Sequence, residues 1–123
     1  MLNREKLMAF LATSDGARAR RFYETALGFR VLSDDEFALA LDTGSGTLRV
    51  QKVGLFVPAS FTALGWAVSD IAATIDHLGQ HGVSFERFNS LTQDARGIWQ
   101  SPSGARVAWF KDPDGNTLSL TQF

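Results

Sequence analysis

The feature that most constrains this chain is that it reads twice. At an offset of 55 residues, Ala12, Ser14, Asp15 and Ala17 fall on Ala67, Ser69, Asp70 and Ala72. Both stretches have one layout, in which a short apolar run meets a Ser-Asp pair that opens an amphipathic segment. Agreement between the identities and the order of elements marks an internal duplication.

In the first copy, Leu7–Thr13 reads as a strand and Ser14-Asp15 as a helix cap. Ala19, Phe22, Tyr23 and Ala26 have the i, i+3, i+4, i+7 spacing of one buried helix face, which predicts a helix to about Leu27. Gly28 suits the residue after its end. Strands are expected over Phe29–Ser33, Glu36–Asp42 and Thr47–Val53. The second copy repeats the order. Thr62–Val68 is a strand, Ser69-Asp70 a cap, and Ile71–His81 a helix with Ile71, Ile75 and Leu78 on one face, stopped by Gly82. Strands are then expected over Val83–Phe88, Ile98–Ser101, Ala105–Lys111 and Thr117–Thr121, with a polar loop over Asn89–Gly97. The last two join at Asp112-Pro-Asp-Gly-Asn116, where Pro presets φ, Gly and Asn accept φ > 0, and Asp bonds its own backbone. The fold class is therefore α+β, as two tandem β-α-β-β-β modules over residues 6–53 and 62–123 joined by a linker at 54–61.

The turn at Asp112–Asn116 and the run from Asp15 to Phe29, with Phe22-Tyr23 and Leu27-Gly28-Phe29 inside it, resemble the vicinal oxygen chelate superfamily. That superfamily holds glyoxalase I, bleomycin-resistance proteins and extradiol dioxygenases. The resemblance covers nearly the whole chain and implies a single domain over 1–123, in which the paired modules form a curled mixed sheet with a central cleft. Metal-binding members carry ligands on the first and last strand of each module. Counted from the two cap aspartates, those positions resemble Met8, Ala63, Arg49 and Ser119. None is His, Glu or Asp, the imidazole and carboxylate donors such metals take. A slip of two residues offers only Gln51, and a guanidinium at Arg49 repels a cation. No metal and no cofactor are expected.

Strand alternation identifies a candidate ligand face. In Thr47–Gln51, Leu48 and Val50 face one side while Thr47, Arg49 and Gln51 face the other. Met8 and Phe10 give that face an apolar floor, and Arg49 can grip a carboxylate or phosphate with two bonds. Trp99, after a polar loop, is placed as a stacking residue, whereas Trp66, in phase with Leu64 and Val68, is assigned to the core. The face of Trp109 is left open. The ligand-binding set is thus Met8, Phe10, Arg49, Gln51, Trp99 and Ser119.

Other constellations read as structure. His77 and His81 have zinc-compatible i, i+4 spacing, but no third ligand accompanies them in sequence. The acidic turn lacks the closing Glu of a calcium loop. Gly44-Ser-Gly-Thr47 lacks the Lys of a phosphate loop, and no Ser-His-Asp arrangement is present. Arg18, Arg20 and Arg21 read as a solvated helix face, and Tyr23 as structural.

A net charge of −1 argues against nucleic acid or an anionic membrane surface as partner, and no run reaches the ~20 apolar residues of a membrane span. With no Cys, disulfides and thiolate chemistry are excluded, and the cytoplasm is the expected compartment. Met1–Lys6 lacks the apolar run of a signal peptide. The expectation is a metal-free module, similar to bleomycin-resistance proteins, that binds a small aromatic or anionic molecule as a homodimer. A lyase, isomerase or dioxygenase with a rearranged site, using a carboxylate such as Asp42 or Glu86, is the alternative. A dimeric interaction scaffold is a further one.

Overall fold

The computed structural model describes residues 1–123. The chain forms two compact units, Met1–Pro58 and Ala59–Phe123.

In the first unit, a 3-10 turn at Leu2–Arg4 precedes β1 (Met8–Thr13). Asp15 then caps a helix by accepting the Arg18 N–H at 3.1 Å. That helix is α1 (Gly16–Arg20), and it continues as a π turn over Arg21–Ala26. The widened turn closes with Leu27 N donating to Phe22 O at 3.0 Å, and Gly28 exits at φ 78°. β2 (Arg30–Asp34), β3 (Ala38–Asp42) and β4 (Thr47–Lys52) complete an open sheet in the order β1-β4-β3-β2, mixed because β1 runs parallel to β4. Leu11, Thr13, Leu39, Leu41, Leu48 and Val50 share the helix side and are buried, together with Ala19 and Tyr23.

The second unit repeats this. β5 (Thr62–Ala67) leads to Asp70, which caps α2 (Ile71–Gln80) by accepting the Ala73 N–H at 3.0 Å. Ile71, Ile75 and Leu78 are its buried residues, and Gly82 leaves at φ 85°. β6 (Trp99–Gln100), β7 (Arg106–Lys111) and β8 (Thr117–Gln122) give the order β5-β8-β7-β6. The fold class is as expected: two β-α-β-β-β modules, each a four-stranded mixed sheet with a helix against one face.

The strand expected over Val83–Phe88 is absent. Only Phe85 bridges to Phe110, and Glu86 N donates to Trp109 O at 2.8 Å. The reason lies in the edge of β7. Phe85 meets that edge at Phe110, and Trp99 meets it again at Val107, after a register jump of 11 residues. The strand that is continuous as β2 in the first unit is thus split by an inserted polar loop in the second. That loop is held by its own side chains. Gln93 Nε2 donates to Glu86 O at 3.0 Å and to Gly97 O at 2.8 Å, and Arg87 Nη2 donates to Ala95 O at 2.7 Å.

The β7–β8 turn forms as its residues dictate. Asp112 Oδ1 accepts from Asp114 N at 3.0 Å and Asn116 N at 2.9 Å, while Asn116 Nδ2 donates to Asp112 Oδ2 at 2.8 Å. Gly115 takes φ 91°, which a side chain would oppose. The turn fixes the hairpin register at Trp109 opposite Ser119.

Candidate functional site

Strand partners in register point their side chains to the same face, so pairing decides what the open face of each sheet carries. In the first unit, Phe10 pairs with Arg49, which pairs with Ala40. One row away, Met8, Thr47 and Asp42 align; one row the other way, Ala12, Gln51 and Ala38 do. The expected residues Met8, Phe10, Arg49 and Gln51 therefore lie together, on the face opposite the helix. Met8 and Phe10 are about half exposed, at 49% and 52%. Arg49 is half-buried and, after the backbone N–H groups of Ala38 and Phe37, its charge helps to lower the pKa of the Asp35 carboxyl, whereas other arginines nearby are bonded to acids directly. Arg20 bonds Glu24 at 3.2 Å and Asp34 at 3.0 Å, and Arg30 bonds Asp42 at 3.0 Å. Ala38 and Ala40, the β3 neighbours of Gln51 and Arg49, keep the face low beside these side chains.

In the second unit the row equivalent to Phe10–Arg49–Ala40 is Gly65–Ser119–Trp109. Beside it, Ala67, Thr121, Val107 and Trp99 align. Trp99 and Ser119 are thus on one face, and Trp109 joins them. The indole N–H of Trp109, on β7, donates to Thr62 Oγ1, on β5, at 3.1 Å. β8 lies between those strands. The indole therefore crosses over β8, which explains why Thr117 and Ser119 retain only 6% and 9% exposure on that face. Phe88 meets Trp109 edge-on at 5.4 Å, and Trp99 lies 6.0 Å from it at a 36° tilt. A Cβ on Gly65 would overlap the Ser119 hydroxyl, so the missing side chain is what gives that hydroxyl its place.

Trp66 is on the helix side, stacked on Phe110 at 6.4 Å, as its phase predicts. Trp109, Phe88 and Thr62, which the expected set does not include, pack or bond together on the face that carries Ser119. The signal for Trp109 was the alternation of Val107, Trp109 and Lys111, once the turn fixes the hairpin register. Phe88 follows a loop with no periodicity and carries no such signal.

The two carboxylates considered for acid-base work are placed for other tasks. Asp42 accepts from Gly44 N at 2.8 Å and from Arg30, and these bonds hold its carboxyl below the usual range, so it stays ionised. Glu86 lies 3.8 Å from Lys111 Nζ. No three His, Asp or Glu side chains converge anywhere in the chain. The four positions that the resemblance implies, Met8, Ala63, Arg49 and Ser119, offer a thioether, a methyl, a guanidinium and a hydroxyl beneath an indole, and Ala63 lies in a register irregularity of β5. This donor set does not fit a divalent metal.

The sequence model of the Glyoxalase/Bleomycin resistance protein/Dioxygenase superfamily matches residues 7–120. The chain belongs to that superfamily. Among solved structures, it is similar to a member of the same superfamily from Sphaerobacter thermophilus, with 23% identity, TM-score 0.75 and all of both chains covered. A glyoxalase family protein from Bacillus anthracis matches with TM-score 0.77 at 15% identity, over 97% of this chain and 94% of that one. Lactoylglutathione lyase from Agrobacterium tumefaciens matches with TM-score 0.73 at 14% identity, over 97% and 93%. At these identities the likeness is one of fold. No curated protein sequence matches the chain.

Proposed function

We propose that this protein is a metal-free binding module that holds a small aromatic or anionic organic molecule on the open face of its first unit's sheet. The observation that carries the reading is Arg49. A half-buried arginine on a strand, held by no direct bond to an acid, with only the charge of Asp35 acting on it, and bordered by Phe10 and Met8, is suited to a carboxylate attached to an apolar body. Gln51 adds an amide with no internal hydrogen bond. In the second unit, Trp99 offers aromatic surface on that unit's own open face, with Ser119 beneath Trp109. The donor set at the superfamily's metal positions supports the metal-free part of the reading. An acid-base enzyme would want a carboxyl poised near neutrality. Asp42, held ionised by its bonds, argues against that.

The modules act as one domain over 1–123, with 54–61 as connection. The working form is a homodimer in the cytoplasm. Leu55 and Val57 in that connection are almost wholly exposed, at 102% and 93%, which favours cover by a second copy. Sedimentation equilibrium giving a monomer at micromolar concentration, unchanged in Leu55→Asp, would refute the dimer.

A thermal-shift screen of aromatic acids against their neutral carboxamides tests the binding reading. Acids are expected to stabilise the protein and amides to do so less. No stabilisation by any acid, or equal stabilisation by both series, contradicts it.

A further inference from the structure

The exposed end of α2 carries a feature that neither sheet face uses. His77 and His81 stand one helical turn apart, both exposed, with imidazole centroids 4.8 Å apart and planes inclined by 47°. We propose that they form a two-imidazole chelate for a borderline divalent transition ion such as Ni2+, Cu2+ or Zn2+.

Three observations carry this. The first is spacing. A ring nitrogen binds such an ion at about 2.0–2.1 Å, which sets the ring centroids roughly 3.2 Å from the metal. Two imidazoles meeting at one ion with bond angles of about 90–109° then have centroids roughly 4.5–5.2 Å apart. The observed 4.8 Å falls inside that window. The second is the tautomer. His81 Nδ1 lies 3.0 Å from the carbonyl oxygen of His77. A carbonyl only accepts, so Nδ1 is the donor, and in the neutral ring the lone pair is on Nε2. A ring nitrogen tied to a backbone carbonyl while the other faces a metal is the usual outer-shell arrangement of ligating histidines. The third is the field. His81 ends the helix, with Gly82 turning the chain away at φ 85°, and the negative end of the helix dipole favours a cation there.

Neighbouring charges leave the pair open. Asp76, next in sequence to His77, is taken by Arg96 through two bonds of 2.9 Å, so it adds no competing ligand. Two protein donors leave the remaining coordination positions to water or an external ligand. The site is independent of the sheet faces, and its failure would leave the proposed small-molecule reading untouched.

The test is calorimetric titration of the untagged full chain with NiCl2, in a buffer that does not bind metal, for wild type, His77→Ala and His81→Ala. One ion per chain is expected, with affinity at least about tenfold lower in either variant, since each removes one of two donors. Affinity should also fall as pH is lowered, because protons compete for the same lone pairs. His77→Ala should keep the wild-type melting temperature in EDTA, while His81→Ala, which also loses the bond to the His77 carbonyl, should fall slightly. Equal Ni2+ affinity in wild type and either variant overturns the proposal. So does a stoichiometry of one ion per two chains, which would mean a site shared between copies.

Discussion

Two equivalent rows of side chains show what duplication kept and what it released. In the first unit the row is Phe10, Arg49, Ala40; in the second it is Gly65, Ser119, Trp109. Strand order and cap are the same, while pairing differs by an irregularity between Thr62 and Leu64 and by the split edge strand. The bulk runs in opposite directions: large on the first strand and small on the third in one unit, absent on the first and largest on the third in the other. The helix sides differ far less, with Leu39, Leu41, Leu48 and Val50 answered by Ala108, Phe110, Leu118 and Leu120, all buried. Packing against a helix penalises change, since a void or a surplus methylene costs stability. The open faces are packed in different ways, with Ala38 and Ala40 buried beside Arg49 in one unit and Ser119 buried under Trp109 in the other.

The strongest way to sharpen this comparison is to cut the helix side of each unit. Phe110, fully buried and flanked by Trp66 and by Phe85 at 5.2 Å, should lose about 3–5 kcal/mol on change to Ala. Its counterpart Leu41, also fully buried, should lose about 2–5 kcal/mol. Urea denaturation followed by tryptophan fluorescence and far-ultraviolet dichroism measures both. One shared transition in each variant is the outcome for a single domain; two separated transitions would break it.

A smaller effect tests the equality of the two caps. Asp15→Ala and Asp70→Ala each remove one side-chain bond to the N–H three residues on, and each should cost about 1 kcal/mol. A loss confined to one variant would show that the modules have diverged in their helices as well as their faces.

The smallest effect concerns a charge cluster found in the first unit. Asp34 accepts from Lys52 and Arg20, and these bonds lower its pKa. At the equivalent offset the second unit has Asn89. A carboxylate with a depressed folded pKa adds stability above its unfolded pKa, near 3.9, and loses it as pH falls through the lower folded value. Asp34→Asn should therefore destabilise the protein modestly at pH 7 and by less near pH 2–3. A difference that grows towards acid would contradict the assignment.

Much of this was legible in the sequence. The caps, both helix faces, the hairpin turn and the two-faced alternation of Thr47–Gln51 follow from local chemistry, and each stands where its residues put it. The open-face grouping of Met8, Phe10, Arg49 and Gln51 follows from the same alternation. Three things were not legible. The π turn over Arg21–Ala26 has no residue-level signal, because it changes bonding and leaves the apolar spacing intact. The loss of the Val83–Phe88 strand depends on how much of the β7 edge each segment can reach, which is a tertiary matter. The cover over Ser119 needed the Trp109–Thr62 bond, formed between residues 47 apart.

The central claim is that the first unit's open face grips an organic anion through Arg49. The most direct test is isothermal titration of the tightest-binding aromatic acid with wild type and Arg49→Ala, each also titrated with the neutral carboxamide. A charge-assisted hydrogen bond is worth about 1.5–3 kcal/mol, so wild type should bind the acid roughly 10–150-fold more tightly than Arg49→Ala does. The carboxamide should bind both proteins alike. Equal affinity of wild type and Arg49→Ala for the acid would contradict the account.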